Sequence, residues 1–151
     1  MDKSMSKGCL VIDPAIRCAI EALITEHAWM LDHHKSDRLG ELYVESGRMS
    51  GISPERNGRD EIVAYGRERA KMTERKARHV TSNIRLLHDG PKRVSSLCTI
   101  TLFRCDGDNF GPADPVALAD AQDVFVHCDD GQWRFESRHL VLTFESEAHR
   151  S

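Results

Sequence analysis

The sequence predicts an α+β domain in which N-terminal helices close a cone-shaped, curved, mixed or antiparallel β-sheet around a central pocket. Three observations predict it. Apolar residues recur at three- and four-residue intervals from Ile16 onward, the spacing of one helix face. From His79 on the period changes to two, in segments rich in Val, Ile, Thr and Phe. Turn sequences, Asp89-Gly90-Pro91 and Asp129-Asp130-Gly131, separate neighbouring strands, the second as a hairpin. Helices first and antiparallel strands afterwards is the α+β order.

Asp13-Pro14 opens the first helix: an acid at the cap, then proline at the first helical position. Ile16, Ile20, Leu23, Ile24, His27 and Leu31 form its buried stripe, with Asp32 near the end. Ser36-Asp37 caps a second, short helix through Leu39, Leu42 and Tyr43. A third runs from about Asp60 to Thr73 with Ile62, Tyr65, Arg69 and Met72 inward. The Gly47 to Gly58 segment between them holds a short strand and a Pro/Gly/Asn loop. Strands are predicted over 79–88, 94–104, 121–128 and 132–144. The 106–120 loop, with its Asp, Gly and Pro residues, is long for a compact domain and is a candidate lid or oligomer contact. Strict alternation places His79, Thr81, Asn83 and Arg85 on one strand face. On the last strand it places Arg134, Glu136, Arg138, Leu140 and Leu142 on one face, and Trp133, Phe135 and Val141 on the other.

The 151 residues fit a single domain, 1–151, with 1–12 and 146–151 as flexible tails. Hydrophobic content of 40% and charged content of 30% are those of an ordinary globular chain. A net charge of −3 offers no basic surface to nucleic acid. No apolar run approaches the roughly 18 residues of a membrane span, and the first ten residues lack a signal peptide's apolar core. A cytoplasmic protein is expected. The cysteines Cys9, Cys18, Cys98, Cys105 and Cys128 are odd in number and not closely spaced, so reduced thiols are expected.

Two short motifs carry the chemistry. Met30-Leu31-Asp32-His33-His34 ends the first helix, and Arg78-His79-Val80-Thr81-Ser82-Asn83 begins a strand. An acid at a helix C-terminus opposes the helix dipole and calls for a partner. A carboxylate against an imidazole fixes its tautomer and strengthens it as a base near neutral pH. The expectation is that Asp32 and His79 meet inside the pocket. Arg138 shares its predicted face with leucines and needs a partner: a counter-charge, Asp32, Asp123 or Glu136, or else an anionic or carbonyl-bearing ligand. His27, His33 and His34 have no carboxylate at a familiar metal-site spacing, so neither metal nor other cofactor is expected.

Three stretches resemble the SnoaL-like branch of the nuclear transport factor 2-like superfamily: Trp29-Met30-Leu31-Asp32, Arg78-His79 with Ser82-Asn83, and Gly131-Gln132-Trp133-Arg134-Phe135 leading to Arg138. Within it the chain is most similar to the group of scytalone dehydratase, hexachlorocyclohexane dehydrochlorinase and bile-acid dehydratase. The resemblance implies a lyase or isomerase that needs no cofactor and acts on a small organic molecule. His79 would be its base, Asp32 the partner that orients it, and Arg138 an electrostatic group deeper in the cone. His27, Asn83, Tyr43, Tyr65 and Leu140 are the candidate substrate contacts. Where scytalone dehydratase brings several tyrosines and a second histidine, this chain has only Tyr43 and Tyr65. Asp123-Val124-Phe125-Val126 followed by Arg138 also resembles the β subunits of ring-hydroxylating dioxygenases. That likeness implies a binding or assembly module with an oxygenase α subunit as partner. Polyketide cyclisation is a third reading of the same cone. In every case the outer sheet face needs cover, so a homodimer or homotrimer is expected.

Overall fold

The computed structural model describes residues 12–52, 54–107 and 109–150. All of the expected tail 1–12 except Ile12, Cys9 included, therefore lies outside the described residues. Helix α1 spans Pro14–Asp32 and is capped by the Asp13 carboxylate, which accepts from Ala15 N (2.8 Å) and Ile16 N (3.4 Å). The predicted stripe is the buried one, with Ile20, Ile24, His27, Met30 and Leu31 against the sheet. His34, at φ 58°, turns the chain away after the helix ends. The second helix is a 3-10 helix, Ser36–Leu42, with Ser36, Leu39 and Leu42 buried at the three-residue spacing that geometry requires.

Tyr43, expected in that helix, instead opens strand β1 (Tyr43–Ser50). Strand β2 is Arg56–Asn57, and helix α2 spans Arg59–Ala70, so Met72 lies beyond its end and is exposed. Ile62, Gly66 and Arg69 form the buried stripe of α2. Gly66 touches the 3-10 helix: Ser36 Oγ donates to Gly66 O (2.9 Å), and a side chain there would collide with the Ser36 carbonyl. The long strands are β3 (Arg75–His88), β4 (Arg93–Asp106), β5 (Ala117–His127) and β6 (Trp133–Glu145). β4 and β5 extend past their predicted bounds on the side of the long loop, which is shortened to the stretch between Asp106 and Ala117. Residues 147–150, expected within a flexible tail, form a helical turn, α3 (Glu147–Arg150).

The six strands make one curved, open, mixed sheet in the order β2-β1-β6-β5-β4-β3. β1 runs parallel to β6 and every other pairing is antiparallel. The helices cover the concave face. The core there is built on Tyr43, Phe125 and Phe135, whose rings pack at 5.0 and 4.6 Å between centroids, with Ile20, Ile24 and Leu39 above them. The opposite face leaves Val80 and Leu97 exposed.

Two of the bulges in the sheet change which side chains face the concave side near its polar residues. Between Ser82 and Arg85, β3 carries one residue more than β4, and Asn83 takes φ 54°. Between Phe135 and Ser137, β6 carries one more than β5. An extra residue reverses the alternation beyond it. Phe135 and Arg138 are therefore both buried on the concave side, not on opposite faces as strict alternation predicts. On β3 the inward set becomes Ala77, His79, Thr81, then Ile84 and Leu86, and Asn83 and Arg85 are exposed.

Candidate active site

The concave side encloses a cavity of about 180 Å³. Its apolar walls come from Leu31 of α1, Met49 of β1, Ile100 and Leu102 of β4, Ala119 of β5 and Leu140 of β6. The polar groups that reach it are His27, Tyr65, His79, Thr81 and Arg138. A few polar groups converging in an apolar concavity is the usual make-up of a small-molecule site.

Asp32 and His79 meet at the wall of this cavity. Asp32 ends α1, and His79 lies on β3 where the helix end crosses it. One carboxylate oxygen accepts from the backbone N–H of His79 (2.9 Å) and the other from its Nδ1 (2.6 Å). The Asp32 side chain is 7% exposed and that of His79 22%. A carboxylate only accepts, so Nδ1 carries the ring proton and Nε2 is left with its lone pair. Nε2 has no protein partner among the described residues. The geometry fixes one tautomer and presents a proton acceptor to the cavity.

Deeper in, Arg138 is held by Asp123. Nε donates to Oδ1 (2.8 Å) and Nη2 to Oδ2 (2.7 Å), with both side chains buried. Of the three counter-charges the sequence left open, the structure selects Asp123. Burial opposes the charge on Arg138, but the Asp123 carboxylate outweighs it and raises the pKa above the ordinary arginine value. The guanidinium also lies over the Phe135 ring, 4.9 Å from its centroid, which the β6 bulge makes possible. Nη1 is not engaged by Asp123.

His27 shares a 3.0 Å hydrogen bond between Nε2 and the Tyr43 hydroxyl, and its Nδ1 is buried without a partner. Burial, then the charge of Arg138 and the nearness of His79, hold the His27 pKa well below 6.5. Burial likewise raises that of Tyr43, so the pair is neutral near pH 7. The unfolded chain takes up a proton near pH 6.5 that folded His27 refuses, so this contribution to stability is whole above pH 6.5 and is lost as pH falls below it. In urea titrations at several pH values, His27→Gln is expected to lose stability less steeply than wild type below pH 6.5. The difference in slope approaches about 1.4 kcal/mol per pH unit. Parallel slopes would show that His27 charges in the folded state.

Of the expected substrate contacts, His27, Tyr65 and Leu140 line the cavity. Tyr43 does not: it is fully buried beneath His27 in the aromatic core and reaches the site through that hydrogen bond and its ring contact with His27. Asn83 does not either, because the bulge turns it to solvent. His33 is drawn off the site, its Nδ1 on Trp29 O (3.0 Å) and its ring stacked on Trp29. Among the described residues no three metal-binding side chains converge. Sequence reasoning missed the small residues Ala28, Ala117 and Ala119 that leave the cavity open. Alanine at alternate β5 positions was the available signal.

An open curved sheet cupped by helices over an apolar cavity defines the nuclear transport factor 2-like class of fold. The SnoaL-like domain profile matches residues 15–139, and the chain belongs to that family. Among solved structures it is similar to a provisionally assigned scytalone dehydratase of Novosphingobium aromaticivorans, with 22% identity over 88% of this chain and 87% of that one (TM-score 0.76). A second protein of that organism, described as NTF2-like with a cystatin-like fold, shares 23% identity over 89% and 86% (TM-score 0.71). ActVI-ORFA of Streptomyces coelicolor shares 17% over 87% and 99% (TM-score 0.75). At these identities the likeness is one of fold. No curated protein matches the sequence significantly. No helix among the described residues is long and apolar enough to cross a membrane.

Proposed function

We propose that the protein is a cofactor-independent, dehydratase-like lyase or isomerase that uses His79 and Asp32 on a small, largely apolar, cyclic molecule. The observation that carries this reading is the Asp32 carboxylate, whose two oxygens accept from the backbone and the ring of the same histidine. Such a clamp orients the ring, fixes its tautomer and stabilises the imidazolium that forms on proton uptake. His79 Nε2 takes a proton from a carbon beside a carbonyl. The electron pair then either forms a double bond as a leaving group departs from the next carbon, or is reprotonated elsewhere to give an isomer. Arg138 lines the cavity with Nη1 not engaged by Asp123, and its charge is available to the developing oxyanion. A volume near 180 Å³ suits a single ring, since a dry cavity of about 150 Å³ admits benzene. The fold shared with the provisionally assigned scytalone dehydratase supports the same class of reaction.

The test is isotope exchange. Small cyclic ketones and β-hydroxy carbonyl compounds are incubated with the protein in D2O and followed by proton NMR. Wild type is expected to exchange or eliminate at the carbon beside the carbonyl, and His79→Gln to lose this by about 10²–10⁴-fold. Equal rates in the two proteins would remove His79 as the base.

A further inference from the structure

A second cavity of about 470 Å³ adjoins the first and shares Ile52, Tyr65, His79 and Leu102 with it. Four arginines line it: Arg56, Arg69, Arg75 and Arg104. Three of them are already engaged. Arg75 and Arg104 both reach the Asp106 carboxylate, at 2.9 and 3.4 Å. Arg56 donates to Pro54 O and lies 4.1 Å above the Tyr65 ring. The one acid in the lining, Glu68, is an exposed group held by Lys71.

Arg69 differs from its neighbours. It is 8% exposed, yet its guanidinium forms no hydrogen bond or ion pair among the described residues, and Nη1 is buried without a partner. Burial, then Arg75, lower its pKa, as expected of a cation with no anion at hand. Tyr65 and then Asp32 act in the opposite sense, but both oxygens of Asp32 are committed to His79. A buried charge with no directly bonded counter-charge is costly, and among the described residues no acid pairs with this one. The guanidinium is a planar fork suited to two parallel hydrogen bonds from a carboxylate.

We infer that Arg69 binds a carboxylate of the substrate in this arginine-lined vestibule while the ring of the same molecule occupies the apolar cavity before His79. The substrate is then a small cyclic organic acid. Arg69 fixes which carbon faces Nε2 and selects against uncharged analogues, and it takes no part in proton transfer. This specifies the substrate class of the reading above and rests on its cavity, though its test does not require turnover.

The test is equilibrium binding by calorimetry, with cyclohexanecarboxylate, its neutral amide and inorganic phosphate as probes. Wild type is expected to bind the carboxylate about tenfold or more tightly than the amide, equivalent to about 1.4 kcal/mol. That preference should vanish in Arg69→Met and weaken in Arg69→Lys, which keeps the charge without the fork. The preference is read without turnover, so a failed catalytic reading and a failed carboxylate site give different results. Equal binding of carboxylate and amide by wild type would overturn the inference, as would an undiminished preference in Arg69→Met. No saturable binding of the carboxylate at millimolar concentration also overturns it. Phosphate binding as tightly as the carboxylate would show a bare anion site and overturn the organic acid.

Discussion

Asp32→Asn is expected to lower turnover by about 10²–10⁴-fold while the protein stays folded, because the substitution inverts the His79 tautomer. Asp32 faces two donors, the His79 backbone N–H and Nδ1–H, and meets them with two acceptors. An asparagine has one acceptor and one donor there. The backbone N–H cannot change, so the amide oxygen must face it and the amide nitrogen must face Nδ1. Nδ1 then needs its lone pair, the proton moves to Nε2, and the cavity meets a donor where it had a base. Nitrogen-15 NMR of the histidines should show Nδ1–H in wild type and Nε2–H in the variant. One weakened hydrogen bond costs about 1–3 kcal/mol of stability, which a denaturant titration resolves. A variant with the tautomer inverted and the rate unchanged would end the proposal that His79 is the base.

The largest expected effect on stability lies at the other polar contact. Asp123→Ala leaves the Arg138 guanidinium buried with no counter-charge, at a cost of about 3–5 kcal/mol. At roughly 2–4 °C per kcal/mol for a chain of this size, Tm should fall by about 6–20 °C. Removing both charges is a different matter. Asp123→Leu combined with Arg138→Met fills the space with apolar groups and should recover most of the loss, since buried ion pairs often contribute little over an apolar replacement. The double variant would be stable but without a cation in the cavity, and under the proposed mechanism it should be slow. A single variant as stable as wild type would mean that water reaches Arg138 and that the pair is not buried in solution.

Much of this fold can be read from local pattern. The change from helical to alternating period marks where helices give way to sheet, because each period reflects which side chains one element can bury. Asp13-Pro14 marks the start of α1 because capping needs only neighbouring residues. Asp32, an acid against the helix dipole, signals a partner, and the likeness to SnoaL-like proteins points to His79. Arg138 signals a counter-charge in the same way, but three acids fitted equally well along the chain. Only the antiparallel register that sets Asp123 opposite Arg138 chooses between them.

What the pattern cannot carry is the count of residues across a strand pair. One extra residue at Asn83 and one at Glu136 each reverse the facing of the residues that come next. The reversal turns Asn83 and Arg85 to solvent and brings Phe135 and Arg138 to the same side. A bulge exists only relative to the neighbouring strand, so no alternation within one segment reveals it. Tyr43 is similar: its place in a strand depends on parallel pairing with Phe135, far along the chain. Arg69 is the clearest case. Its helical spacing marks it as inward-facing, but that it stands in a cavity whose described acids are already engaged is decided by elements that meet only when the chain has folded.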